Sequence, residues 1–569
     1  MNISKFTVNR EKIRNDRKSQ LIICAILFII LFIPNIFTLL YATDLENNPV
    51  MLASYVILSL FVWFFPLLFL SVKNFFRLGI FFFLLSPVEI GFVKSTGLPV
   101  NVGIMDTVLS TNWQETKEQL TSNIPALIFF ILMLIVYCFI LTFVGKNKLS
   151  LKFKIGYIAV FIFINAVLFY KMFSLSENYI PVKDRIAAAT ENTLKKYKKI
   201  FPADILINTY DAIDKRNQNK NFEKEVANFS FDAKQKSPNQ EEETFILVIG
   251  ETARRHNFHL YGYSRETTPE LEKIKNLIPF SDVNSSGTLT LLSLPQIITR
   301  ANPDNFDLQF REKTIVDLFH EAGYYTAWIG VQNISAPIVK RLKTVTDYTY
   351  FSKSDISSGH FFDTDILKNI QQVLNDKKHK KKFIVIHTLG SHFRYSNRYP
   401  DNFEKFKPNI SKSGYSNIGP EYKNDLVNSY DNSILFTDYF LSSVIKELEK
   451  TNSVSGMIYL SDHGENLYDD GKSIFHGGEK PTPYEYEIPY IVWYSQKFHD
   501  FYPEKSEALQ NNKNKKASST ATFYTLSDMA DIMYRNSEAE KKKSLADPDY
   551  QEPEKRKIYT SKGEVISVK

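Results

Sequence analysis

The chain has 569 residues, 14% aromatic side chains of which 46 residues are Phe, 23% charged residues and a formal net charge of +7. That length exceeds one compact core and predicts two parts, while a mean hydropathy of −0.20 excludes a chain that is apolar throughout. The apolar excess sits in the first third, and the positive charge favours an anionic membrane surface without giving any ground for a nucleic-acid partner.

A bilayer core of about 30 Å takes roughly 20 apolar residues to cross as a helix. Five runs are predicted to do so, over residues 21–43, 50–72, 78–93, 124–144 and 155–173. The third is short and interrupted by Pro87 and Glu89, and Glu89 is expected to be buried against a neighbouring helix or to lie near the surface. The basic arm with Lys5, Arg10, Lys12, Arg14, Arg17 and Lys18 is read as uncleaved, because the apolar run after it is too long and no small-residue cleavage site follows. Basic residues also flank alternate connections, with Lys73 and Arg77 in one and Lys146, Lys148, Lys152 and Lys154 in another. By the positive-inside rule the N-terminus is cytoplasmic, and everything after Phe173 is outside.

The division expected is a transmembrane domain over residues 1–175, a bridge over 176–240 with interfacial or solvated helices, and a soluble domain over 241–569. Both cysteines, Cys24 and Cys138, lie in apolar stretches, so the soluble part has no disulfide to brace it. From Thr244 onward short apolar runs alternate with helical segments, the pattern of an α/β domain with a mainly parallel sheet. Three runs end in polar residues: Phe245–Ile249 in Gly250-Glu251-Thr252, Phe383–Ile386 in His387 through His392, and Met457–Leu460 in Ser461-Asp462-His463-Gly464-Glu465. Ligands of open α/β sheets bind beyond the carboxyl ends of strands. Carboxylates with imidazole suit zinc better than magnesium, so Glu251, Asp462 and His463 are candidate ligands.

The segment Asn284 to Pro295 reads as a Ser/Thr/Gly loop entering a helix. Taken alone its hydroxyls suit an N-cap, and the nearby metal-ligand candidates shift the balance toward a nucleophile held at a helix start. Taken together, Gly250-Glu251-Thr252, Ser286 to Thr290, His387 to His392, Asn428 to Ser433 and Ser461 to Glu465 resemble the phosphoethanolamine transferases of the alkaline phosphatase and sulfatase superfamily. The similarity runs over nearly the whole chain, including the five membrane helices.

The resemblance implies a five-helix transmembrane domain joined to a sulfatase-type α/β domain. It implies an inner-membrane enzyme of a Gram-negative-type bacterium with the catalytic domain in the periplasm. Thr290 matches the nucleophile, and Glu251, Thr290, Asp462 and His463 match the zinc ligands, for one tightly bound zinc ion or two. His392 and His476 match positions that bind the donor headgroup or a second zinc, and His387 and Glu465 stand beside them with open roles. Thr111 and Glu115 match residues that handle the lipid headgroup, and a family asparagine falls on Thr107. The donor implied is phosphatidylethanolamine and the acceptor lipopolysaccharide, on lipid A or a core sugar. A phosphoethanolamine-threonine intermediate and release of diacylglycerol complete the expected reaction.

Two departures stand out. Many relatives carry cysteines flanking the nucleophile where this chain has Ser286 and Gln296, and Trp328 to Asn333 differs from the version in lipid A modifiers. The alternatives are a phosphoglycerol transferase, or a phosphatase or sulfatase on the same scaffold, and, from another class, a non-catalytic membrane protein. The run Lys377 to Lys382 is expected to be a solvated turn or a contact for anionic lipopolysaccharide, His320-Glu321 to lie at the surface, and the charged stretch 538–557 to be a mobile tail.

Overall fold

A computed structural model describes residues 13–42, 49–111, 124–174, 182–221, 228–237, 240–331, 345–351, 361–410, 419–478 and 480–568, with positions 11, 117, 226 and 342 between them. The chain divides into two compact units, residues 1–106 with 125–214, and residues 107–124 with 215–569. The expected bridge is therefore divided at Asp214.

In the first unit the helices are α1 (Arg17–Tyr41), α2 (Pro49–Phe64, continued by a 3-10 turn Phe65–Leu68) and α3 (Val72–Thr96), followed by a short α4 (Val102–Ser110) that runs across the division between the units. Then come α5 (Ile124–Leu141) and α6 (Leu151–Ser174). Among the described residues five helices are long and apolar enough to cross a membrane, which makes this a multi-pass membrane protein with a soluble C-terminal domain. The third span is longer than the expected 78–93, because α3 continues through Pro87. Proline leaves the carbonyl four residues back without its usual donor, and the Ser86 hydroxyl donates to that carbonyl, Phe83 O, at 2.6 Å. Of the two placements expected for Glu89 it takes the buried one, and it accepts from Val100 N at 3.0 Å.

The first part of the bridge is helical. Helix α7 (Val182–Tyr197) packs along α6, with the Tyr197 hydroxyl donating to Asn165 Oδ1 at 2.8 Å. The turn after it buries Phe201 against Trp63 of α2, ring centroids 6.0 Å apart, before α8 (Ala203–Asn221) begins. Apolar Ile200, Phe201 and Ile205 supply a face that lysine-rich surroundings hide in the sequence.

The second unit is built on seven strands: β1 (Glu243–Gly250), β2 (Leu277–Pro279), β3 (Tyr325–Gly330), β4 (Tyr348–Phe351), β5 (Lys381–His387), β6 (Val454–Ser461) and β7 (Tyr490–Tyr494). Their order is β2-β7-β6-β1-β5-β3-β4. Strands β6, β1, β5, β3 and β4 are mutually parallel, and β7 is antiparallel to both of its neighbours. Strand β1 is buried on both faces, as a central parallel strand requires. Alternation sends Phe245, Leu247 and Ile249 into one core and Ile246 and Val248 into the other. The registers Ile249↔His387 and Gly250↔Ser461 align the carboxyl ends of β5, β1 and β6 at one sheet edge.

The stretch 538–557 is packed rather than a mobile tail. Leu545 and Ala546 are fully buried, Leu545 N donates to Thr525 Oγ1 at 3.0 Å, and Arg300 pairs with Glu540 at 3.0 Å. The chain then forms a hairpin, Arg556–Tyr559 with Val565–Val568, whose Tyr559 N donates to Ser286 O at 2.9 Å. Charge composition misleads here because a few apolar anchors suffice to fix the segment.

Candidate metal centre and nucleophile

The aligned strand ends bring three expected ligands together. Ligand atoms of Glu251, Asp462 and His463 lie within 4.8 Å of one another, and all three residues are buried. His463 Nδ1 lies 2.9 Å from Gly464 O. A carbonyl can only accept, so Nδ1 carries the hydrogen, and in the neutral ring Nε2 presents a lone pair. That Nε2 lies 3.4 Å from Glu251 Oε1 and 3.4 Å from Asp462 Oδ2. Asp462 Oδ1 is engaged by Thr252 N at 3.1 Å and His463 N at 2.7 Å, whereas its buried Oδ2 has no hydrogen-bond partner.

The nucleophile candidate completes the group. Thr290 opens helix α9 (Thr290–Ile298), and its Oγ1 lies 3.2 and 3.3 Å from the Glu251 carboxylate oxygens and 3.4 Å from His463 Nε2. The helix N-cap is Leu289, without a side-chain cap bond, so the capping role open to these hydroxyls is not used by Thr288. The approach is close at Gly287, where a Cβ would stand 2.9 Å from Ser293 N. Where relatives are expected to carry cysteines, Gln296 Nε2 donates to Ser286 O at 2.9 Å, a hydrogen bond joining the same two positions.

Burial and mutual repulsion set the charge of the cluster. Burial, and then the Glu251 charge, push Asp462 up to about 7. Burial works against charge on His463, but Asp462 and Glu251 outweigh it and raise its pKa. Acids crowded in a dry site repel one another until a proton or a metal intervenes. An orphaned carboxylate oxygen, a carboxylate, an imidazole lone pair and a hydroxyl fit the donor set of zinc.

Beside this group, His476 Nδ1 lies 3.0 Å from Glu465 Oε2, and its ring centroid is 4.0 Å from that of His463. Burial pushes Glu465 up to about 8, and burial with the neighbouring His463 holds His476 well below the usual imidazole range. His392 Nδ1 donates to Phe393 O at 2.7 Å. His387 instead sits in the core, edge-on to Trp328 at 6.2 Å, and burial drives its pKa down to about 4. The described contacts of Thr111 run to Thr107, whose carbonyl accepts from its hydroxyl at 2.9 Å, and not to this cluster. Glu115, Gln332 and Asn333 lie outside the described residues.

In the basic run, Lys381 and Lys382 begin β5, Lys377 meets Glu242 at 3.6 Å and His379 stacks on Tyr325, while Lys378 and Lys380 are solvated. His320 is exposed, as expected, but Glu321 turns inward to accept from Phe231 N at 3.0 Å.

Sequence reasoning missed residues that brace the site. Thr252 has φ 61, a left-handed backbone that costs a β-branched residue about 1–3 kcal/mol, and its hydroxyl donates to Glu251 Oε1 at 2.7 Å. Asp363 accepts from Leu389 N at 2.8 Å and Gly390 N at 3.0 Å, fixing the loop that carries His392. Glu485 accepts from Gly477 N at 2.8 Å, next to His476. Only Glu485 had a local signal, the capping box Thr482-x-x-Glu485.

Comparison with known proteins agrees with this geometry. The sulfatase family pattern matches residues 243–532. The phosphoethanolamine transferase EptC of Escherichia coli K12 is 33% identical over 322 residues, 55% of this chain and 54% of that protein, so the match spans about half the relative's length. The crystal structure of the C-terminal periplasmic domain of E. coli EptC in complex with Zn is 32% identical, covers 59% of this chain and 94% of that one, and gives a TM-score of 0.52. The integral membrane lipooligosaccharide phosphoethanolamine transferase EptA of Neisseria meningitidis covers 92% of this chain and 98% of its own, with a TM-score of 0.66. At 22% identity that is a likeness of fold.

Proposed function

This chain belongs to the sulfatase family, and from that premise we propose that it is a zinc-dependent phosphoethanolamine transferase acting from phosphatidylethanolamine to lipopolysaccharide. The observation that carries the reading is the Thr290 hydroxyl, 3.2 to 3.4 Å from Glu251 and His463 and beside the unpartnered Asp462 oxygen. A hydroxyl nucleophile and an acid-imidazole donor set on one site is what phosphoryl-group transfer requires. The likeness to proteins named phosphoethanolamine transferases supplies the group transferred.

Glu251, Asp462, His463 and Thr290 would hold the zinc. When bound, the ion lowers the pKa of the threonine hydroxyl and offsets charge on the phosphoryl oxygens. Thr290 Oγ attacks the phosphorus of the donor, the bond from phosphorus to the diacylglycerol oxygen breaks, and that oxygen leaves with a proton. A hydroxyl or phosphate oxygen of the acceptor then attacks the phosphorus, the bond from phosphorus to Thr290 Oγ breaks, and Oγ takes back a proton. His476, kept neutral by burial beside His463 and with Nδ1 against Glu465, and His392, whose Nδ1 hydrogen is committed to Phe393 O, each present Nε2 to orient the phosphate or pass a proton there. Thr111 and Glu115 are assigned to the headgroup, and the acceptor position, lipid A phosphate or core sugar, is read from the product.

The catalytic domain is assigned to the periplasm from the flanking charges. A reporter fused after Phe173 is expected to report the periplasm, and a cytoplasmic signal would remove access to the acceptor. The decisive test is peptide mass spectrometry after incubation with headgroup-labelled phosphatidylethanolamine alone. The expected result is a phosphoethanolamine adduct on Thr290, and an adduct elsewhere, or transfer of glycerol phosphate in its place, would overturn the reading.

A further inference from the structure

The stretch Asn428 to Ser433 lies within one helix, α10 (Lys423–Lys450), and carries no ligand. Its side chains nevertheless reach separate loops. Asn428 Nδ2 donates to Pro408 O at 2.7 Å, Ser429 Oγ accepts from Ile410 N at 2.8 Å, and Asn432 accepts from Phe406 N and donates to Phe406 O, both at 2.9 Å. Asp431 accepts from Asn257 at 2.6 Å and from Tyr263 and Arg265 at 2.9 and 2.8 Å. These bonds fasten the 257–265 and 406–410 loops.

Tyr430 does something different. Its hydroxyl donates to Thr252 O at 2.7 Å and accepts from Arg254 N at 2.8 Å, closing over the turn that follows Glu251. Thr252 holds the left-handed backbone there, and in that conformation Thr252 N and Oγ1 reach Asp462 Oδ1 and Glu251 Oε1. The Glu251 carbonyl is fixed separately by Ser391 N at 2.9 Å. Tyr430 is fully buried, with its ring against Tyr395 at 5.2 Å, so the hydroxyl is delivered by a fixed helix and not by a mobile side chain.

We propose that Tyr430 is a positioning residue for the metal centre: its hydroxyl bridges Thr252 O and Arg254 N and thereby orients the carboxylates of Glu251 and Asp462 toward one ion. The inference rests on the zinc reading given above. It requires that removing one oxygen, with the ring kept, weakens the metal site more than it weakens the fold. Groups that orient ligands from outside the coordination shell change metal affinity by roughly 10–100-fold when lost.

The test uses the full chain in detergent, with zinc affinity measured by competition against a chelator and melting temperature measured on zinc-free protein. Tyr430→Phe is expected to weaken zinc at least about tenfold. Asn432→Ala, on the same helix but bonded to Phe406, is expected to lower the melting temperature while leaving zinc affinity within about twofold, the outcome that separates local orientation from general bracing. If Tyr430→Phe binds zinc like the wild type, or Asn432→Ala weakens zinc as much, the inference is overturned while the metal reading stands. If the wild-type chain takes up no zinc, both are overturned.

Discussion

Two buried acids, Glu89 in the membrane unit and Asp462 in the sheet domain, meet different surroundings. In the membrane unit, Glu89 accepts from Val100 N at 3.0 Å and lies 3.4 Å from the Thr38 hydroxyl, and Tyr55 donates to Asn35 at 3.0 Å. Those bonds join α1, α2, α3 and the chain after α3, and the oxygens are used on protein donors. In the sheet domain, Asp462 Oδ2 is buried and unpartnered beside Glu251. Equal burial thus yields a structural tie at Glu89, where Val100 N donates to one oxygen, and at Asp462 an oxygen left without a donor beside Glu251.

The largest expected effect breaks the catalytic side of that contrast. Thr290→Ala should lower transfer at least about 1,000-fold, with the melting temperature nearly unchanged, since the variant removes the attacking oxygen and little packing. Thr290→Ser keeps an oxygen and should retain part of the activity. Thr288→Ala should be mild in a headgroup-transfer assay, because its buried hydroxyl has no hydrogen-bond partner and does not cap α9.

Chelation comes next. Removing metal should abolish transfer, and zinc should restore it where magnesium does not, because His463 contributes a nitrogen ligand. Activity assays after dialysis against each ion read the outcome, and equal recovery with magnesium would count against the donor set.

A smaller effect is a pH dependence. In the zinc-free protein Asp462 is pushed up to about 7, so between the ordinary aspartate range and that value the folded form holds a proton the unfolded chain has shed. Stability from this group is therefore lost as pH rises through that window. Zinc-free Asp462→Asn should gain on the wild type between pH 5 and pH 8, by a few degrees in melting temperature. With zinc present the wild-type order reverses, since zinc displaces the proton and binds more weakly as pH falls below about 7.

The smallest effects compare the two structural ties directly. Glu89→Ala leaves Val100 N buried without its acceptor and should cost about 1–3 kcal/mol in the membrane unit, with no change in zinc affinity. Gln296→Ala leaves Ser286 O bonded to Tyr559 N, so its cost should stay near 1 kcal/mol by thermal unfolding. A zinc-affinity loss in Glu89→Ala would show that the two roles are not separable.

Five membrane helices could be read from the sequence because bilayer thickness sets a length that apolar runs either meet or miss. Pro87 shortened the expected third span because its repair, the Ser86 hydroxyl on Phe83 O, depends on helical geometry already formed. The packing of Phe201 against Trp63 and the burial of Leu545 were hidden because isolated apolar residues in charged stretches give no periodic signal.

For the centre itself, the sequence determined the chemistry: which residues end the apolar runs, that Glu251, Asp462 and His463 are of ligand type, and that Thr290 stands at a helix entrance. Those are local facts, written in residue order. Tertiary structure alone decided their convergence, through the parallel registers Gly250↔Ser461 and Ile249↔His387 that set three distant strand ends at one edge. It also decided the supports, Tyr430 over Thr252 and Asp363 under Leu389 and Gly390. Such bonds join residues far apart in the chain, where no spacing or composition records the contact.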